Sequence, residues 1–149
     1  QLGTPDELYN HPNNEFGGWF LGNPGMNYID YKVTYSAQGP ILENHLFGTP
    51  VQVDGLGDSP DIRIGIRPER IRIYSQPTPM TVQGIVIRSS IVTGGQYLLT
   101  VQVGHSILKV KVPHDQFIHD GGKVYLECPL EHVHIFTNTG EVINVRLAV

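Results

Sequence analysis

From Met26 onward the apolar residues recur at every second position. Ile29, Tyr31, Val33 and Tyr35 alternate with Asp30, Lys32 and Thr34, the period of a strand that buries one face. Ile41 to Phe47 and Pro50 to Val53 are shorter strand candidates, and Asp54-Gly55-Leu56-Gly57-Asp58-Ser59-Pro60 is a loop by composition. Ile62, Ile64 and Ile66 alternate with Arg63 and Gly65, and Ile71 and Ile73 with Arg70 and Arg72. A connector punctuated by proline, Ser75 to Pro79, leads into a long strand over Thr81 to Val92, with a bend expected at Gly84. Thr93-Gly94-Gly95 turns the chain into an alternating strand of Tyr97, Leu99, Val101 and Val103, and Gly104-His105 returns it along Ile107 to Val112. Pro113 to His119 predicts a short helical turn, and strands over Lys123 to Glu127, His132 to Phe136 and Val142 to Leu147 complete the set. Short strands at roughly 8–12-residue spacing with one helical insertion predict an all-β fold. The best fit is a small antiparallel barrel of the oligonucleotide/oligosaccharide-binding (OB) type.

The first 25 residues differ in kind. Thr4 can cap free backbone N–H groups, Pro5 sits where no N–H is needed, and Glu7 can reach back, so a short helix through about Tyr9 is predicted. His11-Pro12 stops it, because the residue before proline avoids helical geometry. Asn13-Asn14-Glu15 then caps a second short helix carrying Phe16, Trp19 and Phe20, interrupted by Gly17-Gly18. These apolar residues are too few to form a core alone. The chain therefore divides into a helical segment, residues 1–25, and a β domain, residues 26–149.

Composition narrows the picture. A chain of 149 residues fits one domain with an appendage. Its 17 Gly and 11 Pro suit many short strands and turns. A net charge of −4 disfavours a globally basic nucleic-acid binder. The single cysteine, Cys128, has no internal disulfide partner, which suits a reducing compartment. No apolar run approaches the roughly 20 residues of a membrane helix. The sequence starts at Gln1 in the middle of what reads as a motif, without a signal peptide, so it is expected to be a fragment.

Motifs of nucleotide, esterase and zinc-protease chemistry are missing from the sequence, so no catalytic residue is assigned. Cys128, directly before Pro129, reads as an inert, half-buried thiol, since nothing nearby in the sequence lowers its pKa. His132 and His134, two apart, would share one strand face and could hold a metal, but no further closely spaced ligand joins them, so no metal is assigned. Arg63, Arg67, Arg70 and Arg72 make the only locally basic stretch. It could bind a small anion, which leaves an anion-binding barrel as the alternative function, or pair with neighbouring carboxylates at a strand edge.

The residues also carry a resemblance. Gln1-Leu2-Gly3-Thr4-Pro5-Asp6-Glu7-Leu8-Tyr9, then Pro12, Phe16 and Phe20 to Tyr28, resemble the end of an ABC-type nucleotide-binding domain. They are similar to the ATPase subunits of sugar importers of the maltose and glycerol-phosphate type. Gly65-Ile66-Arg67-Pro68-Glu69 matches the most recognisable motif of the regulatory domain that follows in that family. Glu131, His134, Ile135 and Phe136, followed by Thr139-Gly140, resemble its closing pattern. Gly17-Gly18-Trp19 and the Leu130 between Pro129 and Glu131 depart from it.

The resemblance implies a C-terminal transport-associated OB domain with regulatory and dimerising roles. ATP and Mg would be cofactors of the intact parent subunit and of nothing in this chain, because the family's catalytic motifs lie upstream of Gln1. Implied partners are a second copy of the chain, its own nucleotide-binding domain, the transmembrane permease subunits and, in some members, a regulatory protein; nucleic acid is not one. The implied location is cytoplasmic, peripheral to the inner face of the membrane. Gly65, Arg67, Pro68, Glu69, Glu131, His134 and Phe136 are the motif residues, with a structural or interface role.

Overall fold

The computed structural model describes residues 25–43, 45–57, 61–92, 94–137 and 139–149. The helices expected within residues 1–24 lie outside them. The described residues form twelve strands and three single 3-10 turns, so the expected all-β class holds. β1 (Asn27–Ser36), β2 (Gly39–Leu42), β3 (Val51–Asp54) and β4 (Asp61–Ile66) come first. β5 (Arg72–Tyr74), β6 (Val82–Val92), β7 (Gln96–Val103), β8 (Ser106–Val112) and β9 (Lys123–Glu127) follow, then β10 (His134–Thr137), β11 (Val142–Ile143) and β12 (Arg146–Ala148).

Two antiparallel sheets result, one in the order β11-β10-β4-β1-β2-β3-β12 and the other β5-β9-β6-β7-β8. β1 is shared along its length: residues 27–32 pair with β4 and residues 33–36 with β2. β11 and β12 stand at opposite ends of the seven-strand order, yet only Asn144 and Val145 separate them in the chain. So short a link spans roughly 10 Å at most, so the sheet has to curl until its two edges come together. Gly55, just past β3, confirms the approach, since a Cβ there would stand 3.1 Å from the Asn144 carbonyl oxygen. The architecture is a curled antiparallel half-barrel, OB-like as the strand spacing predicts.

The core lies between the inner faces. β4 contributes Ile62, Ile64 and Ile66, and the five-stranded sheet contributes Val86, Leu99, Val101, Leu108, Val110, Val124 and Leu126, all buried. Paired positions explain the alternation: Val86, Val101 and Leu108 share one row across three strands, and every one is fully buried.

Three sequence expectations change, and one gains a reason. The strand expected over Ile41 to Phe47 ends at Leu42, and 45–47 form a turn that buries Leu46 and Phe47. Gly48 closes this turn at φ +75°, and a Cβ there would meet the Thr81 carbonyl oxygen at 2.5 Å. Gly84 lies where β6 passes from pairing with β9 to pairing with β7; its missing side chain admits Val101 and Leu126, and the ladder shifts register between Val86 and Arg88. The strand expected over Val142 to Leu147 is split between the two edges of the larger sheet. His132 and His134 do not share a strand, because Leu130–His132 form a 3-10 turn and β10 begins at His134.

Candidate functional site: where the two motifs meet

The two motifs, nearly seventy positions apart in the chain, come together through one strand pairing. β4 and β10 are antiparallel, with Gly65 opposite His134 and Arg63 opposite Phe136. Tyr28 of β1 stands opposite Gly65 on the other side. The face turned away from the main core therefore carries Tyr28, Gly65, His134 and Phe136 side by side. The Tyr28 and Phe136 rings meet edge to face, with centroids 5.7 Å apart. Met26 and Phe136 are both buried here, outside the main core cluster.

Gly65 is needed for that packing. A Cβ at this position would stand 2.5 Å from Met26 Sδ and 2.7 Å from a ring carbon of Phe136. Its φ is not positive, so contact rather than backbone conformation excludes a side chain. Beyond β4 the chain leaves the sheet at Arg67, whose φ −77° and ψ 145° are the extended geometry forced on a residue before proline. Pro68 opens the 3-10 turn Pro68–Arg70, closed by the Arg70 N–H donating to the Arg67 carbonyl at 3.0 Å. Arg67 and Pro68 are buried, whereas Glu69 is exposed. In the second motif Phe136 is buried, His134 half-buried and Glu131 exposed.

A neighbouring residue that the motifs do not include ties the sheets together. The buried Asn27 side chain donates from Nδ2 to the Lys109 carbonyl at 2.8 Å, and the Lys109 N–H donates to Asn27 Oδ1 at 2.8 Å. One amide thus stands in for a strand partner at the edge of β8. The sequence did not single it out, because nothing local marks an asparagine whose partner lies 82 positions away.

The four arginines do not converge. Arg63 pairs its Nε with Asp30 Oδ1 at 2.9 Å on the outer face of β4, and Arg67 is buried at the turn. Arg70 is exposed on the 3-10 turn, and Arg72 lies on the other sheet, 4.0 Å from Glu127. Among the described residues no three of His, Cys, Asp and Glu gather into a metal-binding group. The nearest carboxylate that His132 meets is its neighbour Glu131, 3.9 Å away.

Two buried acidic groups are held neutral. Burial pushes the Cys128 thiol up to about 12, with the Glu127 charge adding to the effect. Burial likewise pushes the Tyr31 phenol up to about 12, against backbone hydrogen bonds at Leu46 and His45 that pull it down, and its hydroxyl donates to the Glu43 carbonyl. A thiol so protonated is a poor nucleophile. A cavity of about 360 Å³ opens beside Tyr31, between β1, the 45–46 turn and the β7–β8 hairpin, with His45, His105 and Ser106 on its walls. None of the motif residues lines it. Its histidines are sixty residues apart in the chain and carry no spacing signal.

Known families bear on this arrangement. Residues 64–136, which contain the first motif and the second as far as Phe136, match the TOBE domain. The chain is 28% identical over 145 residues to the maltose/maltodextrin import ATP-binding protein of Photorhabdus laumondii, covering 94% of this chain and 39% of that one. It is 31% identical over 140 residues to the sn-glycerol-3-phosphate import ATP-binding protein of Salmonella typhimurium, covering 91% and 38%. An uncharacterised ABC transporter ATP-binding protein of Sinorhizobium fredii is 31% identical over 144 residues, covering 94% and 37%. The chain thus spans about two-fifths of the length of these relatives. Among the described residues no helix is long and apolar enough to cross a membrane. The chain carries a TOBE domain, within a likeness to import ATP-binding subunits that runs along nearly its whole length.

Proposed function

We propose that this chain is the regulatory and dimerisation domain of the ATP-binding subunit of an ABC importer for sugars or related solutes. The observation that carries the reading is the likeness to import ATP-binding proteins over 91–94% of the chain, with the TOBE match inside it. Residues 1–25 would be the tail of the nucleotide-binding domain and residues 26–149 the regulatory domain. ATP and Mg would act in the parent subunit, and the chain itself would neither bind nor hydrolyse nucleotide. Its partners would be a second copy, its own nucleotide-binding domain, the permease subunits and a regulatory protein, at the cytoplasmic face of the membrane.

The motif geometry favours a structural over a ligand-binding role for most of its members. Gly65, Pro68 and Phe136 are consumed by packing, and Arg67 is buried in the same junction. Glu69 and Glu131 remain at the surface, where a partner would meet them. Light scattering on the purified chain up to about 0.1 mM, with calorimetric titration of ATP and Mg, tests the reading. Self-association without nucleotide binding is the expected result. ATP turnover by this chain, or a monomer throughout, overturns it.

A further inference from the structure

The exposed face of the five-stranded sheet carries a charge and an apolar patch that neither motif uses. Between Val82 and Val112 the chain holds Arg88, Lys109 and Lys111 and not one Asp or Glu, in a protein whose net charge is −4. These residues make up β6, β7 and β8 and the turns between them. Strand register decides which side chains look outward. Lys123, Ile85, Gln102 and Ile107 form one row across β9, β6, β7 and β8, and Arg88, Thr100 and Lys109 form the next. The rows between them are the buried ones.

Ile85, Ile87 and Ile107 on this face are 39%, 45% and 50% exposed. Ile87 falls at the register shift of β6, where the extra residue has no partner across the ladder and is presented at the surface. Lys109 Nζ is held over the sheet by Thr100 Oγ1 at 2.7 Å and Arg88 is exposed, as is Lys123 on β9, whose own carboxylate on this face, Glu127, is engaged by Tyr74 and Arg72. The result is a branched apolar centre flanked by cations.

We infer that the outer face of β6–β8 docks an acidic protein surface with an apolar centre. Charge complementarity selects the sign, since the face lacks any carboxylate from its three strands while the rest of the chain is acidic. The isoleucines select protein over nucleic acid. Single-strand binders stack bases on aromatic rings, and the outward positions of β6, β7 and β8 hold none. They also select protein over a lipid surface, because short mid-strand isoleucines set among strand neighbours do not form the long apolar stripe by which an amphipathic helix sinks below the headgroups. This inference stands on exposure and charge, independently of the importer assignment.

The test uses the full chain, isotope-labelled, in two-dimensional NMR titrations with four probes. These are a short peptide with glutamates flanking a Leu-Val-Phe centre, the same peptide with glutamines, oligothymidine, and vesicles containing phosphatidylglycerol. The acidic peptide is expected to shift the amides of Ile85, Ile87, Arg88 and Ile107. Its affinity should fall by about tenfold or more with the glutamine peptide, with Arg88→Glu and with Ile87→Ser, and steeply with salt. Both substitutions lie at exposed positions, and well-dispersed spectra of the variants establish that they fold. Absence of saturable shifts, equal binding of both peptides, or tighter binding of oligothymidine or vesicles overturns the inference. So does self-association mapped to these amides, which would mean that a second copy covers the face.

Discussion

Replacing Asn27 tests whether a single side-chain amide joins the two sheets. Its two bonds to Lys109 link residues 82 positions apart, and the residue is only 8% exposed. Each bond is worth about 1 kcal/mol net, and a backbone group left without a partner costs a further 1–3 kcal/mol where water cannot reach it. Lys109 is half-buried at an edge strand, which places Asn27→Ala near the lower end, at about 2–3 kcal/mol. At roughly 4 °C per kcal/mol, the melting midpoint would fall by about 8–12 °C. Asn27→Asp is the sharper perturbation because it keeps the shape. It retains the acceptor for the Lys109 N–H, but sets a carboxylate oxygen against the Lys109 carbonyl where Nδ2 donated. Protonation would restore a donor, so the folded state favours the neutral acid and raises its pKa above the unfolded value of about 4. The cost of Asn27→Asp is therefore largest above that pKa and shrinks as the pH falls through it, while the cost of Asn27→Ala does not. Urea unfolding of the three proteins from pH 4 to pH 8 measures both. If both variants unfold within about 0.5 kcal/mol of the native chain, or the Asp variant shows no recovery in acid relative to Ala, the amide link is not what joins the sheets.

Other outcomes follow from contacts described above. Gly65→Ala drives a methyl into Met26 and Phe136 and should cost about 1–3 kcal/mol, with part of the cost relieved in a Gly65→Ala/Met26→Ala double variant. Strictly additive costs in that denaturation cycle would reject the contact. Gly48→Ala combines a left-handed backbone with a carbonyl 2.5 Å away and should cost more than Gly65→Ala, by about 1 kcal/mol or greater, read as a lower urea midpoint with unchanged slope. Cys128 titrates near 9 when unfolded and about 12 when folded, so the folded chain holds more protons in that window and loses stability as pH rises through it. By pH 10 the loss reaches about 1.4 kcal/mol, and Cys128→Ala should flatten the decline between pH 8.5 and 10; an unchanged slope would contradict the burial argument. The same burial predicts that Cys128 resists alkylation at pH 8 until denaturant is added, and rapid labelling of the native chain would refute it.

The strands were legible wherever one face is buried, because a period of two survives in the sequence. Ile62, Ile64 and Ile66 announce β4 and lie in the core where the alternation puts them. What sequence could not convey is pairing between distant strands. At Gly84 the sequence shows a glycine inside a strand, but not the close approach of Val101 from the neighbouring strand that excludes a side chain there. Val142 to Leu147 read as one strand because nothing local marks the two-residue step between opposite sheet edges. His132 and His134 read as one face because a period of two was assumed where a 3-10 turn intervenes. The motif residues were visible individually, but their assembly depends on the β4–β10 register. The adjacent Ile85, Val86 and Ile87 give no alternation to read, and only the register shows Ile85, Ile87 and Ile107 to face outward.

The two-residue step at Asn144-Val145 has a consequence for the order of events during synthesis. β3 is made early, yet its free edge meets no partner until Arg146–Ala148 exist to pair with Gln52–Asp54. The outer edge of β10 likewise waits for Val142–Ile143. A ribosome must therefore carry a nascent chain whose larger sheet is open at both margins until those residues emerge. The finished sheet ends in β11 and β12, two and three residues long, which offer little edge to another chain, whereas termination before them leaves the longer β3 and β10 as templates for strand addition between chains. The short β12 is thus a latch against aggregation, and nonsense truncations ahead of it should yield inclusion bodies rather than a smaller soluble domain.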